Sequence, residues 1–280
     1  MLGAIVGDVV GSPYEFDWNN IKTTEFPLLS DRSQFTDDTV MTLAVAEALM
    51  LCGETVGEAD FGANVVRTMQ EFGKRYPKAG YGGRFSQWLK AGTPRPYNSF
   101  GNGSAMRVSP VAWAFDDLES VEQFAAASAG VTHNHPEGIR GAQAAAAAIF
   151  LARQGEPQAE IRRCIEARYG YSLSRTLDEI RPAYHHVESC QETVPEAITA
   201  FLEGSGFEDA VRKAVSLGGD SDTLTAITAS IAEAAWGIPA DIEAGVLSRL
   251  DAFLQDVLER WETWRGGRNR DSAAGQRHIT

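Results

Sequence analysis

The sequence predicts an all-α protein, and three observations support that fold class. Apolar residues recur at helical spacing along most of the chain. Ala144 to Ala148 form a run of five alanines, the residue with the highest helix propensity. Strand signals are weak, because no alternating run of Val, Ile or Thr leads into the tight turn of a hairpin. The expected architecture is a single compact helical domain.

Three segments are too apolar for surface helices. Residues 40–51 are apolar nearly all round, which is typical of a helix deep in a core. Residues 141–153 carry the alanine run, whose small side chains let neighbouring helices approach closely. Residues 223–236 place apolar side chains on one face at helical spacing. Further helices are expected over residues 57–74, 120–129, 158–168, 192–203, 207–216 and 241–262.

Three long loops are expected over residues 12–35, 76–110 and 170–192, which hold most of the prolines and many of the glycines. Long loops in a helical domain are usually functional or mobile. No segment resembles an interdomain linker and no internal repeat is present. We expect one domain over residues 1–265 and a polar, disordered tail over residues 266–280.

The composition excludes several classes of protein. The chain has 280 residues, 44% of them hydrophobic, which is enough for a sizeable core. A net charge of −13 argues against nucleic-acid or membrane binding, but it permits an anionic small ligand held by a metal or by backbone amides. The three scattered cysteines predict neither a disulfide framework nor a zinc site. With no apolar span and no basic leader at its start, the chain is expected to be cytoplasmic and monomeric.

Two acidic clusters, Thr36–Thr39 and Gly218–Thr223, directly precede strongly apolar helices. Thr, Asp and Ser are preferred helix N-caps, so capping alone could account for either cluster. A cap needs one oxygen, however, and each cluster supplies several before a helix that is too apolar to be peripheral. We therefore expect the two helix N-termini to meet. Converging carboxylates repel one another, and a hard divalent cation such as Mg²⁺ or Mn²⁺ would relieve that repulsion.

A glycine-containing segment, Asn98–Arg107, could approach a ligand closely and present backbone N–H groups to a phosphate. A turn before a helix has the same composition, and Arg107 suits a phosphate contact or a structural salt bridge equally well. His133 precedes the alanine-rich helix. A loop histidine is more often a simple hydrogen-bonding residue than a catalyst, so these segments alone leave the function open.

Taken together, these segments resemble the ADP-ribosylglycohydrolases. The chain has the family's motifs in the family's order, and together they extend over nearly its whole length. The resemblance implies an all-α fold that holds two adjacent Mg²⁺ ions, with Mn²⁺ as an alternative. It also implies cleavage of the glycosidic bond that joins ADP-ribose to an acceptor in a protein or small molecule. The matching segments are Gly3–Asp8 with Gly11, Thr36–Thr39, Gly101–Arg107, Thr132-His133 and Gly218–Thr223.

The resemblance also implies roles for individual residues. Glu15, Asp38 and Asp222 would act in catalysis, Glu15 at the position of a mobile catalytic or gating glutamate. Phe100 would place an aromatic ring near the adenine. The metal ligands would be Thr36, Asp37, Asp38, Asp220, Asp222 and Thr223. The substrate site would be formed by Ser99, Phe100, Gly101, Asn102, Gly103, Ser104, Met106 and His133.

The acceptor linkage is less well determined by the sequence. Relatives that release arginine are expected to carry an acidic residue three positions before Asn102, where this chain has Ser99. Together with Glu15, this difference favours oxygen-linked acceptors such as serine, although Asp17 or Asp31 could supply the missing carboxylate.

Two other functions are considered. One is a non-catalytic ADP-ribose-binding or structural protein, since the family has crystallin relatives. Such proteins can lose metal ligands. This chain retains all six ligands that the resemblance implies, which argues against this alternative. The other is a metal-dependent nucleotide phosphohydrolase. Helical phosphohydrolases of the His-Asp type need an adjacent His-Asp pair, which this sequence lacks.

Overall fold

The computed structural model describes residues 1–53 and 56–275, where the regular structure is helical. One antiparallel bridge pairs Gly101 with Ser189, and the described residues form no strand. The all-α prediction is confirmed. The helices are α1 Leu2–Gly11, α2 Asp37–Leu51, α3 Glu58–Arg75, α4 Gly83–Lys90, α5 Gly103–Met106, α6 Ser109–Ala114, α7 Leu118–Gly130, α8 Pro136–Arg153, α9 Gln158–Tyr169, α10 Leu177–Ile180, α11 Cys190–Leu202, α12 Phe207–Val215, α13 Ser221–Trp236, α14 Ala240–Leu247 and α15 Ala252–Gly275.

Helices α2, α8 and α13 form the centre of the fold. Every residue from Ser221 to Ala232 of α13 is buried. The alanines Ala144 to Ala148 of α8 are fully buried, and α8 packs against α7, α11 and α13. In α2 the buried positions surround the helix, as expected from its apolar sequence. The prediction that these three helices lie in the core is confirmed.

Helix α1 packs directly on the backbone of α13. Gly3, Gly7 and Gly11 lie one turn apart on the contact face. A Cβ atom at Gly7 would lie 2.3 Å from the carbonyl oxygen of Thr225, and one at Gly11 would lie 2.4 Å from that of Ser221. No side chain fits in this space, so glycine is required for the two helices to approach this closely.

The prediction of one helix over residues 241–262 is wrong, because α14 and α15 are separated by residues 248–251. The Asp251 carboxylate accepts hydrogen bonds from the backbone N–H groups of Phe253 and Leu254, each at 3.0 Å. Asp251 therefore caps a new helix. The expected loop over 76–110 contains α4, α5 and the start of α6, and the loop over 170–192 contains α10. These helices are too short to show a clear apolar period.

Helix α15 extends to Gly275, and the last five residues of the tail over 266–280 lie outside the described residues. Disorder of that tail stays a prediction. None of the helices in the described ranges combines the length and apolar character that a membrane span requires.

Candidate active site

The N-termini of α2 and α13 lie side by side. Thr36 is the N-cap of α2, and its hydroxyl accepts a hydrogen bond from the Asp38 backbone N–H at 3.3 Å. Thr223, in the first turn of α13, donates its hydroxyl to Asp38 Oδ2 at 3.1 Å. The Thr36 hydroxyl lies 3.5 Å from Asp222 Oδ2. The structure thus brings the two acidic clusters together.

Asp8 of α1 holds the start of α2 in place through four hydrogen bonds. Its fully buried carboxylate accepts hydrogen bonds from the backbone N–H groups of Thr36 and Thr39 at 2.9 and 3.0 Å. It also accepts bonds from the hydroxyls of the same two threonines, at 2.8 and 2.5 Å. Burial nevertheless raises the pKa of Asp8 to about 6, because desolvation outweighs these bonds. Asp8 positions the segment that carries Asp37 and Asp38.

Five further carboxyl groups lie close together near Asp8, those of Glu15, Asp37, Asp38, Asp220 and Asp222. Burial raises the pKa of Asp37 to about 8 and that of Glu15 to about 7, and neighbouring carboxylates add to both shifts. Burial and neighbouring carboxylates also raise the pKa values of Asp38 and Asp222. Burial raises the pKa of Asp220 too, although its hydrogen bonds with Asn102 and Asp222 oppose that shift. In each case the largest cause is a carboxylate held away from water. Without a cation, the cluster would hold protons at neutral pH.

The cluster fits a hard cation. Oxygens of Glu15, Asp220 and Asp222 all lie within 4.8 Å of one another. Asp38 Oδ1 is buried and has no hydrogen-bond partner within the part of the chain that the structure describes. A buried carboxylate oxygen without a partner is costly, and coordination of a cation would satisfy it. These oxygen donors, without Cys or His among them, suit Mg²⁺ or Mn²⁺.

A cavity of about 290 Å³ opens over the cluster and extends to the glycine-containing segment. Its walls also include two arginines, Arg84 and Arg107. The cavity is therefore lined by both acidic and basic side chains. Of the residues expected from the sequence, it is lined by Glu15, Asp37, Asp38, Ser99, Gly101, Asn102, Gly103, Met106, His133, Asp220, Asp222 and Thr223.

Asn102 connects the glycine-containing segment to the acidic cluster. Its side-chain amide donates to Asp220 Oδ2 at 2.6 Å and to the Thr193 hydroxyl at 3.1 Å. Its backbone N–H donates to the carbonyl of Glu188 at 2.7 Å. The amide thereby fixes the orientation of one carboxylate of the acidic cluster. A change in the glycine-containing segment would reach that cluster through this residue.

Arg107 is 1% exposed and makes no salt bridge within the described residues, so it is not a structural ion-pair residue here. Its guanidinium donates to the carbonyls of Gly103 and Ser128, each at 3.0 Å, and to the Thr132 hydroxyl at 2.8 Å. Burial lowers its pKa to about 10, which leaves it charged at neutral pH. A buried cation without a carboxylate partner favours an anion in the adjoining cavity.

His133 is bonded to the same threonine: the Thr132 hydroxyl lies 2.6 Å from His133 Nδ1. Because this hydroxyl accepts a bond from Arg107, we infer that its own proton points to Nδ1 and that the ring carries its proton on Nε2. Burial and the charges of Arg107 and Arg84 hold the pKa of His133 well below its ordinary value. His133 is therefore a neutral donor on the cavity wall.

Three residues expected in the site lie outside the cavity wall. Phe100 is 48% exposed, with its ring edge-on to His135 at 5.4 Å. Ser104 is fully buried and donates to the carbonyl of Gly138 at 2.7 Å, which connects α5 to α8. Thr36 is buried beneath the carboxylates, between Asp8 and Asp222.

Asp8, Arg84, Tyr97 and Glu188 belong to the site but were not selected from the sequence. The signal for Asp8 is a charged residue inside an otherwise apolar first helix. Arg84 stacks over the ring of Tyr97 at 4.7 Å, and both line the cavity from a segment expected to be a loop. Glu188 lines the cavity from the loop before α11, and its sequence context carries no comparable signal.

The comparison with protein families covers nearly the whole chain. The family model described as ADP-ribosylglycohydrolase matches residues 1–270. The chain belongs to this family. It is therefore an enzyme of the ADP-ribosylglycohydrolase class, and the resemblance stated from the sequence motifs is confirmed.

Several relatives of this ADP-ribosylglycohydrolase are named for their activity. ADP-ribosylhydrolase ARH3 of Bos taurus is 29% identical over 311 aligned positions, covering 85% of this chain and 84% of the relative. The ADP-ribosyl-[dinitrogen reductase] glycohydrolase of Rhodospirillum rubrum is 26% identical, covering 92% and 91%. The ADP-ribosylarginine hydrolase Tri1 of Pseudomonas putida is 25% identical, covering 85% and 70%.

A solved structure named "ADP-ribosylglycohydrolase-related protein complex" has the same fold. It superimposes with a TM-score of 0.61 at 26% sequence identity and covers 89% of this chain and 94% of its own. The fold and the family assignment therefore agree.

Proposed function

We propose that the protein hydrolyses the glycosidic bond between ADP-ribose and the acceptor residue of a modified protein, releases ADP-ribose, and depends on divalent metal. The observation that carries this proposal is the polarity of one cavity. Its carboxylates suit cations and sugar hydroxyls, and its arginines suit a pyrophosphate. ADP-ribose contains both chemical features in one molecule.

The acidic cluster would hold two Mg²⁺ ions, or Mn²⁺ in their place. When bound, such ions neutralise the carboxylates, orient ribose hydroxyls and make a water more acidic. Glu15 shares the cluster with Asp220 and Asp222, so it would lie beside them. The proposed ligands are Thr36, Asp37, Asp38, Asp220, Asp222 and Thr223.

The glycine-containing segment and the arginines of the cavity would hold the pyrophosphate. The backbone of Gly101 to Gly103 lines the cavity without bulky side chains. His133 would donate from Nε2, and the buried charge of Arg107 would favour the anion from behind the wall. Phe100, exposed at the edge, would lie near the adenine.

Glu15 is the proposed general base, because it lines the cavity and burial raises its pKa to about 7. Glu15→Gln is expected to slow turnover about 10²-fold or more, as for other general bases, with ADP-ribose affinity changed by no more than a few-fold. Single-turnover rates and calorimetry measure these two quantities. Glu25→Gln is the matched control, because Glu25 is an exposed glutamate in the same connection between α1 and α2. A rate unchanged in Glu15→Gln would remove this residue from the mechanism.

We propose oxygen-linked acceptors, such as ADP-ribosylserine, as the preferred substrates. Ser99 stands where an acidic residue is expected in arginine-releasing relatives, and its hydroxyl accepts a bond from the Gly101 N–H at 3.1 Å. Asp17 and Asp31, the other candidate carboxylates, do not line the cavity. An arginine-linked substrate is the second candidate, because the Glu188 carboxylate lies at the cavity wall and could pair with a guanidinium.

A competition assay tests both parts of the proposal. Serine- and arginine-ADP-ribosylated peptides are mixed at equal concentration with Mg²⁺, and the products are separated chromatographically. We expect free ADP-ribose as the product and faster release from the serine peptide. AMP would indicate a phosphohydrolase, and binding without any product would indicate a non-catalytic protein. Faster release from the arginine peptide would reverse the linkage assignment only.

A further inference from the structure

Two aromatic side chains lie exposed directly after Glu15. Trp18 is 81% exposed and Phe16 is 39% exposed, and their rings stack at 6.1 Å with an interplanar angle of 10°. On its other side the Phe16 ring lies 5.5 Å from the His186 ring. Trp18 is the most exposed large apolar side chain in the described part of the chain. We refer to Phe16, Trp18 and His186 as the aromatic platform.

The aromatic platform adjoins the cavity. Phe16 follows Glu15 in the chain, and His186 Nδ1 lies 3.0 Å from the Glu15 carbonyl oxygen. His186 Nε2 lies 3.2 Å from a carboxylate oxygen of Glu188, which lines the cavity wall. A peptide that leaves the cavity beside Glu15 and Glu188 would pass next to the aromatic platform.

The surroundings of the aromatic platform are acidic. Asp17 lies between the two aromatic residues in the chain, and its Oδ1 accepts bonds from the His186 backbone N–H at 2.7 Å and the Asn20 side-chain amide at 3.2 Å. The Glu188 side chain is 74% exposed and contacts His186 Nε2 through one carboxylate oxygen. Lys22, in the connection between α1 and α2, directs its ammonium group to the carbonyls of Tyr184 and Leu217, and its charge also acts on Asp17. Aromatic faces beside carboxylates attract lysine and arginine side chains.

We infer that the aromatic platform binds basic residues flanking the ADP-ribosylated residue of the substrate protein. This inference rests on the proposed function and extends it to the sequence around the modification. Lysine or arginine side chains would lie over the exposed Trp18 face and pair with Asp17 and Glu188. A nucleic acid would be repelled by these carboxylates and by the net charge of −13.

The test uses three synthetic peptides with the same ADP-ribosyl linkage and with flanking lysines, glutamines or glutamates. Their affinities for the full-length protein are measured by fluorescence anisotropy at low and high salt, and their kcat and KM by ADP-ribose release. We expect the lysine peptide to bind about fivefold more tightly than the glutamine peptide, as for one exposed cation–π contact with a surface ion pair. The glutamate peptide is expected to bind most weakly, and high salt should reduce the differences.

Variants identify the surface. Trp18→Ala is expected to abolish the preference for lysine, Trp18→Phe to retain most of it, and Asp17→Asn to reduce it. Trp236→Ala is the matched control, because Trp236 is also exposed but lies at the far end of α13. Equal affinity for all three peptides, or a preference that persists in Trp18→Ala, would overturn the inference. Loss of ADP-ribose release from every peptide, with flank-dependent binding retained, would instead overturn the proposed function.

Discussion

Asp38→Asn and Asp222→Asn are each expected to reduce turnover by about 10²–10³-fold or more, the range seen when one electrostatic contact to a transition state is lost. Asparagine keeps the size of the side chain but removes its charge. Asp38 has a buried oxygen without a hydrogen-bond partner among the described residues, and Asp222 lies beside Asp220 at the start of α13. Removing either charge would weaken the proposed metal site and displace the sugar it orients.

Metal content and turnover are measured together for each variant. Asp178→Asn is the matched control, because its carboxylate is 90% exposed and pairs with Arg181 on the neighbouring turn. We expect the two active-site variants to lose bound metal while keeping a cooperative thermal transition, and the control to match the wild type. Exhaustive chelation should reproduce their loss of activity, with recovery on addition of Mg²⁺. Wild-type turnover in both variants would contradict metal-assisted hydrolysis.

The acidic clusters could be located from the sequence because each combines a capping pattern with an unusually apolar helix. A helix such as α13, buried from Ser221 to Ala232, cannot lie at the periphery, so its N-terminal oxygens must face the interior or a cavity. The same reasoning applies to α2 and its N-cap Thr36. Local composition was sufficient to locate these clusters, because the signals for a helix cap and for a buried helix each lie within a short stretch of sequence.

Other parts of the site depend on contacts that the sequence does not display. Asp8 acts on Thr36 and Thr39 only because α1 lies against α13, and that approach is set by glycines at Gly7 and Gly11. The motif containing Asp8 was visible, but its function as the support of α2 was not. Long-range packing, rather than local pattern, determines this contact.

The direction in which each residue points could not be predicted from the sequence either. Adjacent residues of the glycine-containing segment point in different directions, so that Gly101 and Gly103 line the cavity whereas Ser104 bonds to α8. Arg107 was equally compatible with a salt bridge, and only the structure shows that carbonyls and a hydroxyl surround it. Composition predicts that such a segment can approach a ligand, but the backbone path determines which atoms do so.

Thermal stability of the metal-free protein is expected to fall as the pH rises from 5 to 8. The folded-state pKa values of Asp8, Glu15 and Asp37 are raised to about 6, 7 and 8. A carboxyl group whose pKa is higher in the folded state than in the unfolded state stabilises the folded protein when it is protonated. This contribution is fully present below the unfolded-state pKa. It is lost as the pH rises through the folded-state value, because the folded state then carries the buried charge.

A bound cation should oppose this loss, because it stabilises only the folded state and favours the charged carboxylates. We therefore expect Mg²⁺ to raise Tm by ~5 °C or more at pH 8 and by much less at pH 5. A gain of about 2 kcal/mol in the free energy of unfolding would produce a shift of this size in such a domain. Differential scanning calorimetry across this pH range, with and without Mg²⁺, measures both trends. Asp37→Asn should flatten the metal-free decline between pH 7 and 8, because it removes the carboxyl whose pKa is raised to about 8. A metal-free Tm that rises over this range, or a metal-induced increase that does not depend on pH, would show that the crowded carboxylates do not control the stability of the site.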